Sequence, residues 1–192
     1  MRIFLAVFPS PQVQAAAFVA IERMRRPNDG VSWVKRENLH YTMRFLGEQD
    51  EDGVTRAIAA AREAAAAHAP FAARLGVAGA FPSARRARVL WLGLDEGAER
   101  LVALARDLER ALEAHGFERA ERPFSAHLTI GRARDGGADW SDRLAASADA
   151  PGAAPAFTVD RLCVVHSTLA RGGSIYQVRA EARLGAPAKA QA

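Results

Sequence analysis

The chain has 192 residues, about half of them apolar, and a formal net charge of +4. This length suits one domain, or two small lobes with a shared core. No stretch reaches the roughly 18–20 apolar residues of a membrane span, and the apolar start is broken by Pro9 and Pro11, too early for a signal peptide. A single cysteine, Cys163, excludes an intramolecular disulfide and a cysteine metal cluster. We therefore expect a soluble cytoplasmic protein.

The positive charge is almost entirely arginine, since lysine occurs only at Lys35 and Lys189. A basic, arginine-rich chain is typical of proteins that bind phosphate-bearing partners. Arginine and alanine together also indicate coding bias, because arginine and glutamate alternate along most of the predicted helices rather than forming blocks. Composition alone leaves both interpretations open.

The first half of the chain predicts a strand over 2–8 and then a helix over 10–25. Ser10 is a good helix N-cap and Pro11 suits the first helical position. The pattern continues with extended chain, an alanine-rich helix and a further strand, over 32–47, 51–68 and 71–83. This half therefore contains strands and helices in alternation.

The second half repeats this order. It predicts a strand, an amphipathic helix and a second strand, over 88–94, 96–115 and 124–134. A glycine-rich loop with a short helix and a linker follow, over 135–150 and 150–156. The chain ends in a predicted hairpin of strands 156–169 and 174–184 and a frayed tail over 185–192.

The two halves match as an internal duplication with an offset of 87 residues. His40 maps onto His127, Thr42 onto Thr129, and Leu5 onto Leu92. We therefore expect one domain over 1–184, made of pseudo-repeats over 2–83 and 88–184. Two similar α+β lobes related by a pseudo-twofold axis bring the two histidine strands to equivalent places at one cleft.

Each histidine strand carries the pattern His-x-Thr. Residues i and i+2 of a strand share a face, so His40 and Thr42 project together, as do His127 and Thr129. Two imidazoles and two hydroxyls on one site suit chemistry at a phosphodiester. A neutral histidine takes a proton from the nucleophile and a protonated one gives a proton to the leaving oxygen. Hydroxyls donate to the phosphate oxygens, and a nearby arginine adds positive charge.

A third His-x-Thr, at His166 and Thr168, lies outside the repeat register. We interpret it as a coincidental match without a catalytic role. His68 and His115 fall at predicted helix C-termini, where a solvated histidine is favoured by the helix dipole.

The chain resembles the 2H phosphoesterase superfamily, and within it the RNA 2′,3′-cyclic phosphodiesterases that are historically called 2′-5′ RNA ligases. The resemblance covers about residues 2–184 and is carried by five stretches: RIFLAVFPSP, NLHYTMRFLGE, GAFPSARRARVLWLGL, RPFSAHLTIGRAR and VVHSTLARGGSIYQV. It implies an α+β fold in which two antiparallel sheets face a central basic cleft, with the helices outside. It also implies hydrolysis of a 2′,3′-cyclic phosphate RNA end to a 2′-phosphate without metal or cofactor.

The resemblance assigns roles residue by residue. His40 is the expected proton donor to the departing 3′ oxygen and His127 the expected proton acceptor from water. Thr42 and Thr129 hold the phosphate, and Arg132 matches the family arginine after the second motif. Strand alternation, however, puts Arg132 on the face opposite His127 unless a bulge follows Gly131.

Three further features of the sequence stay open. Tyr176 and Phe45 are candidates for stacking on a base, although Phe45 lies in an apolar strand. The cluster Arg85, Arg86 and Arg88 either extends the basic surface or forms a solvated turn.

Several functions fit the paired motifs. The reverse reaction joins the same cyclic end to a 5′-hydroxyl RNA through a 2′-5′ bond. Other candidates are a phosphodiesterase for small cyclic or 2′,5′-linked nucleotides, which requires a closed pocket, and a non-catalytic RNA-binding module. No Walker A motif and no Asp/His set at metal-ligand spacing is present in the sequence. We expect a monomer without an obligate protein partner.

Overall fold

The computed structural model describes residues 1–134, 138–147, 154–171 and 173–185. The helices in this part of the chain are α1 (Pro11–Met24), α2 (Glu51–Ala66), α3 (Ala98–Ala114) and α4 (Ser141–Ser147). The strands are β1 (Arg2–Val7), β2 (Val31–Trp33), β3 (Tyr41–Glu48), β4 (Phe71–Phe81), β5 (Val89–Glu96), β6 (Leu128–Ala133), β7 (Ala156–Val159), β8 (Arg161–Ala170) and β9 (Gly173–Arg183). Short 3₁₀ turns cover Arg36–Asn38 and Ala84–Arg86.

The helices begin where the sequence indicates. The Ser10 hydroxyl accepts a hydrogen bond from the Val13 amide at 3.4 Å, and Pro11 is the first residue of α1. The Asp50 carboxylate caps α2 by accepting from the Gly53 amide at 2.8 Å. None of the helices that the structure describes has the length and apolar character needed to cross a membrane.

Two predicted strands differ from the observed ones. The strand predicted over 156–169 is divided at Asp160 into β7 and β8. It divides because β7 pairs with β4 whereas β8 pairs with β1, so the chain crosses between two parts of the sheet. The strand predicted over 124–134 begins only at Leu128, and its first residues form a loop. Most of the predicted linker and tail lies outside the described residues.

All strand pairings form one antiparallel sheet with the order β7-β4-β5-β6-β3-β1-β8-β9, and β2 pairs with β6. We call β3, β1, β8 and β9 lobe A, and β7, β4, β5, β6 and β2 lobe B. Strands β3 and β6 join the lobes through a single residue pair, Tyr41 with Leu128. The predicted α+β class is therefore confirmed, and the two predicted sheets are two halves of one continuous sheet.

The lobes do not coincide with the two halves of the sequence. Strand β4 follows α2 in the first half but lies in lobe B, and β8 and β9 of the second half lie in lobe A. Helix α2 packs on β8, β9 and α3, while α1 packs against α4. Each lobe thus contains elements of both halves, which ties the repeats into one body.

The offset of 87 residues holds for the histidine strands but not for the strands beside them. Tyr41 pairs with Val7, and its counterpart Leu128 pairs with Leu92. Leu92 therefore corresponds in space to Val7, and the alignment of Leu5 with Leu92 is wrong by two residues.

Strand β1 is buried on both faces, and this separates the core from the cleft. Ile3, Leu5 and Val7 point into the main core. On the other face, Phe4 and Ala6 pack with Cys163 and Val165 of β8 to form a small apolar floor. Alternation along one strand thus places one row of side chains in the core and the next in the cleft.

Candidate active site

The single pair that joins the lobes also brings the two His-x-Thr motifs together. Tyr41 and Leu128 face each other and are fully buried, as strand alternation requires when His40 and His127 point to the cleft. In an antiparallel ladder this pairing sets His40 opposite Thr129 and Thr42 opposite His127. All four side chains then project from the face that Tyr41 and Leu128 leave free.

Both imidazoles are held by backbone carbonyls in the same way. The His40 Nδ1–H donates to the carbonyl oxygen of Asn38 at 2.7 Å, and the His127 Nδ1–H donates to that of Ser125 at 2.8 Å. A carbonyl only accepts, so Nδ1 carries the proton in each neutral ring and Nε2 is the atom free for proton transfer. The His40 Nε2 lies 2.9 Å from the Thr42 hydroxyl.

A bulge follows each motif at the same place. Opposite β1, Thr42 pairs with Ala6 and Arg44 with Leu5, so Met43 is an extra residue. Opposite β5, Thr129 pairs with Trp91 and Gly131 with Leu90, so Ile130 is the extra residue of β6. Met43 and Ile130 are both buried and are 87 residues apart.

These bulges return the third residue after each threonine to the cleft face. In lobe A that residue is Phe45, which is 56% exposed and packs against Phe4 with ring centroids 5.7 Å apart. In lobe B it is Arg132, which is exposed. Strand alternation alone placed Arg132 on the face opposite His127. The bulge at Ile130, which lies just before Gly131 rather than after it, returns Arg132 to the cleft face.

The charge of Arg132 acts on both histidines. Burial lowers the pKa of His40 below its usual range; the hydrogen bond to Asn38 opposes this, and the Arg132 guanidinium lowers the pKa further. The pKa of His127 is lowered by the same causes, with Ser125 as the hydrogen-bond acceptor. No described residue forms an ion pair with Arg132. An unpaired guanidinium beside two histidines is suited to binding an anion.

Aromatic rings surround each histidine. Around His40, ring centroids lie at 4.9 Å for Phe4, 5.7 Å for Phe8 and 5.3 Å for Tyr176, which stands edge-on at 90°. Sequence reasoning named Tyr176 and Phe45 and missed Phe4 and Phe8. Nothing in the sequence distinguishes Phe4 and Phe8 from ordinary strand residues.

His127 has a corresponding set of rings. Phe81 stands edge-on to it at 5.1 Å, and Trp91 lies at 6.5 Å. Both were missed because they belong to β4 and β5, and the sequence does not show that β5 pairs with β6 and β4 with β5.

The other histidines lie away from this site. His166 pairs with Ile3, whose side chain is in the main core, so its register places it on the helix side of the sheet. His68 lies 2.8 Å from the Asp107 carboxylate, and His115 lies 3.2 Å from that of Glu63. Within the described part of the chain, no group of three or more His, Cys, Asp or Glu residues is placed to hold a metal ion.

A cavity of about 720 Å³ begins at two of the rings that surround His40, although His40 itself is not part of its lining. Two of its wall residues, Phe8 and Tyr176, are ring neighbours of His40. The cavity continues between the 3₁₀ turn before His40 and the β8–β9 hairpin, where the Asn38 amide donates to the carbonyl oxygen of Ser174 at 2.8 Å. Its charged lining consists of two cations and three carboxylates: Lys35, Arg161, Glu37, Asp160 and Glu181.

The arginine cluster before β5 lies on the lobe B side. Arg85 and Arg86 belong to an exposed 3₁₀ turn, and Arg88 immediately precedes β5. Val89, the next residue, pairs with Arg132. The cluster therefore adds exposed positive charge close to Arg132, at the start of β5.

The site thus combines two histidines held through Nδ1, two threonines and a guanidinium that has no ion-pair partner among the described residues. This combination on an antiparallel sheet is that of a two-histidine phosphoesterase type of site. Comparison with known proteins agrees. The 2′-5′ RNA ligase superfamily model matches residues 9–171, so the chain belongs to that family.

A curated relative from Thermotoga maritima, named RNA 2′,3′-cyclic phosphodiesterase, is 34% identical over 93% of this chain and 92% of its own length. A solved structure from Thermus thermophilus covers 98% of this chain and 100% of its own with a TM-score of 0.76 and 28% identity. Escherichia coli LigT, solved with 3′-AMP, covers 95% of this chain and 97% of its own with a TM-score of 0.78 at 24% identity, and shows the same fold.

Proposed function

We propose that this protein hydrolyses 2′,3′-cyclic phosphate ends of RNA to 2′-phosphates, with His40 and His127 as the acid and base. The observation that carries the proposal is the pair of imidazoles held by Nδ1 in the same way, with both Nε2 atoms available on one face. Membership of a family whose curated relatives are named RNA 2′,3′-cyclic phosphodiesterase supports RNA as the substrate.

The proton path follows from the tautomers. His127 Nε2 takes a proton from water while the water oxygen bonds to phosphorus. The bond from phosphorus to O3′ breaks, and protonated His40 gives its Nε2 proton to that oxygen. The product is a 2′-phosphomonoester with a free 3′-hydroxyl, and the two histidines exchange protons with solvent before the next turnover.

The threonines and Arg132 act on the phosphate. In the neutral His40 ring the Thr42 hydroxyl donates to Nε2 at the observed 2.9 Å. Protonation of Nε2 ends that bond, which frees the threonine proton for a phosphate oxygen and leaves the Nε2–H of His40 for O3′. Thr129 occupies the equivalent place beside His127. The Arg132 guanidinium stabilises the negative charge that grows as the water attacks. Oriented donors of this kind typically contribute about 10²–10³-fold in rate each.

The terminal nucleoside belongs on the lobe A side in this mechanism. The oxygen that His40 protonates is attached to the ribose, so the ribose lies next to His40. The adjoining cavity has carboxylates as well as cations in its lining, which suits an uncharged base better than a second phosphate. Tyr176 and Phe45 provide aromatic surface for that base.

The test is product analysis on a short RNA with a 2′,3′-cyclic phosphate end, in the presence of EDTA. We expect the native enzyme to release a 2′-phosphate, and His40→Ala and His127→Ala each to lose roughly 10²–10⁴-fold in rate. His166→Ala is the matched control, because it removes a histidine of the same motif from the other face of the sheet. Full activity of either catalytic variant, or loss of activity in His166→Ala, contradicts the proposal.

The cavity beside His40 favours a second candidate, hydrolysis of small cyclic or 2′,5′-linked nucleotides, because its volume is in the range of small-molecule pockets. Cyclic mononucleotides and 2′,5′-linked dinucleotides in the same assay distinguish the two. Adding an RNA with a 5′-hydroxyl end tests the reverse joining reaction. RNA binding without any turnover identifies a binding module instead.

A further inference from the structure

The two histidines of the proposed site have similar surroundings. Both histidines donate Nδ1–H to the carbonyl two residues earlier, and both have an edge-on ring at about 5 Å: Tyr176 for His40 and Phe81 for His127. These shared features do not by themselves decide which histidine is the acid, and the contact of His40 Nε2 with the Thr42 hydroxyl at 2.9 Å is one difference between the two. Something outside the matched set must decide which histidine takes which role.

Among the equivalent residues that differ in chemistry, one pair directly follows the two bulges. The bulges at Met43 and Ile130 present the third residue after each threonine to the cleft, and these residues are Phe45 in lobe A and Arg132 in lobe B. One is an exposed ring on the apolar floor around Phe4, and the other is an exposed cation without an ion-pair partner among the described residues.

We propose that Phe45 and Arg132 together orient the substrate and thereby make His40 the acid and His127 the base. The ring at 45 favours the nucleoside on the lobe A side, where O3′ leaves next to His40. The cation at 132 favours the phosphate oxygens and the attacking water on the lobe B side, next to His127. The inference rests on the proposed function and explains its direction.

Charge and packing agree with this polarity. Arg85, Arg86 and Arg88 add exposed positive charge to lobe B just before β5, whose first residue pairs with Arg132. The cavity next to Phe8 and Tyr176 adds room for the nucleoside on the His40 side. Lobe B also has an aromatic ring beside its histidine, that of Phe81. The lobes therefore differ at the position that follows the bulge, which is aromatic in lobe A and cationic in lobe B.

The experiment exchanges the two residues in the variant Phe45→Arg/Arg132→Phe and reads the roles of the histidines from pH profiles. Loss of a general base removes the limb that rises with pH, whereas loss of a general acid removes the limb that falls. In the native background, His40→Ala should keep only the rising limb and His127→Ala only the falling limb. Single-turnover assays with excess enzyme make these slow variants measurable.

In the exchanged background we expect the limbs to change places. His40→Ala should keep the falling limb, and His127→Ala the rising limb. We also expect the exchanged enzyme to be at least tenfold more active than Arg132→Phe alone, because it regains a cation at the equivalent position. Both positions are exposed, so the exchange leaves the core unchanged, and circular dichroism checks the fold.

The matched control is Arg134→Phe, which makes the same arginine-to-phenylalanine change nearby but keeps both Phe45 and Arg132. Arg134 lies two residues further along and is bound to the Ser32 hydroxyl at 3.2 Å. In the control the native limbs should survive.

Unchanged limbs in the exchanged background overturn the inference, and so does a folded exchange variant no more active than Arg132→Phe. Either result leaves the proposed function standing if the native enzyme forms a 2′-phosphate. A native enzyme without that product removes the proposed function itself.

Discussion

Gly131 offers the sharpest test of how the fold positions Arg132. It lies between the bulge residue Ile130 and Arg132 and is paired with Trp33 of β2. A Cβ added at this position would lie 2.7 Å from Val31 Cγ1 and 3.0 Å from Trp33 Cε3. Carbon atoms in ordinary contact are about 3.5–4.0 Å apart, so Gly131→Ala requires a shift of roughly 0.8 Å.

That shift has a definite cost. Val31 is 7% exposed and belongs to the main core, so β2 moves away from β6 or the bulge moves toward the cleft. Overpacking of this size lowers the free energy of unfolding by about 1–3 kcal/mol. For a chain of this length each kcal/mol lowers the melting temperature by roughly 2–4 °C. Because Arg132 follows directly, we expect kcat/KM on the cyclic RNA end to fall as well.

The assay combines thermal unfolding with initial rates for Gly131→Ala, and Gly93→Ala is the control. At Gly93 an added Cβ would lie 3.5 Å from its nearest neighbours, which is ordinary contact. Adding Val31→Ala to Gly131→Ala removes the closest clashing atom, so the double variant should lose less stability than the sum of the two single losses. A Gly131→Ala variant with native melting temperature and native kcat/KM refutes the reasoning.

Four further predictions concern individual side chains and the pH profile. The Tyr41 hydroxyl is buried and no described group bonds to it, so Tyr41→Phe should keep or raise the free energy of unfolding, by up to about 1 kcal/mol in chemical denaturation; a clear loss of stability contradicts this. Burial, with a contribution from Arg132, lowers the pKa of both His40 and His127, so the bell-shaped pH profile of kcat/KM should centre below about pH 6.5. Arg132→Gln removes a cation that disfavours both protonated rings, so both limbs should move to higher pH, and a fixed profile would show that the guanidinium lies too far from the rings. Asn38→Asp replaces the side-chain amide that donates to the Ser174 carbonyl oxygen with a carboxylate that only accepts. We expect kcat/KM to fall about 2–10-fold, which corresponds to the net free energy of one hydrogen bond. Asn38→Gln keeps a donor and should retain more activity.

The sequence by itself determined the chemistry and the local structure. His40 and His127 with their threonines stand out because side chains two residues apart share a face of a strand, and this alternation is a local property. The helix start at Ser10 and Pro11 was predictable for the same reason, since capping involves only the next three residues. The burial of Tyr41 and Leu128 followed from the same alternation.

Only the tertiary structure decided what depends on partner strands. A bulge exists only relative to the strand it faces, so the places of Met43 and Ile130, and hence the exposure of Phe45 and Arg132 in the cleft, are not written in the local pattern. Strand β4 of the first half lies in lobe B and strand β8 of the second half lies in lobe A, and this arrangement brings Phe81 to His127. It depends on which strand edges are available for pairing, which the local sequence does not show. Hydrogen bonds to the carbonyls of Asn38 and Ser125 involve backbone atoms that every residue has, so their acceptor role becomes visible only when the chain is folded.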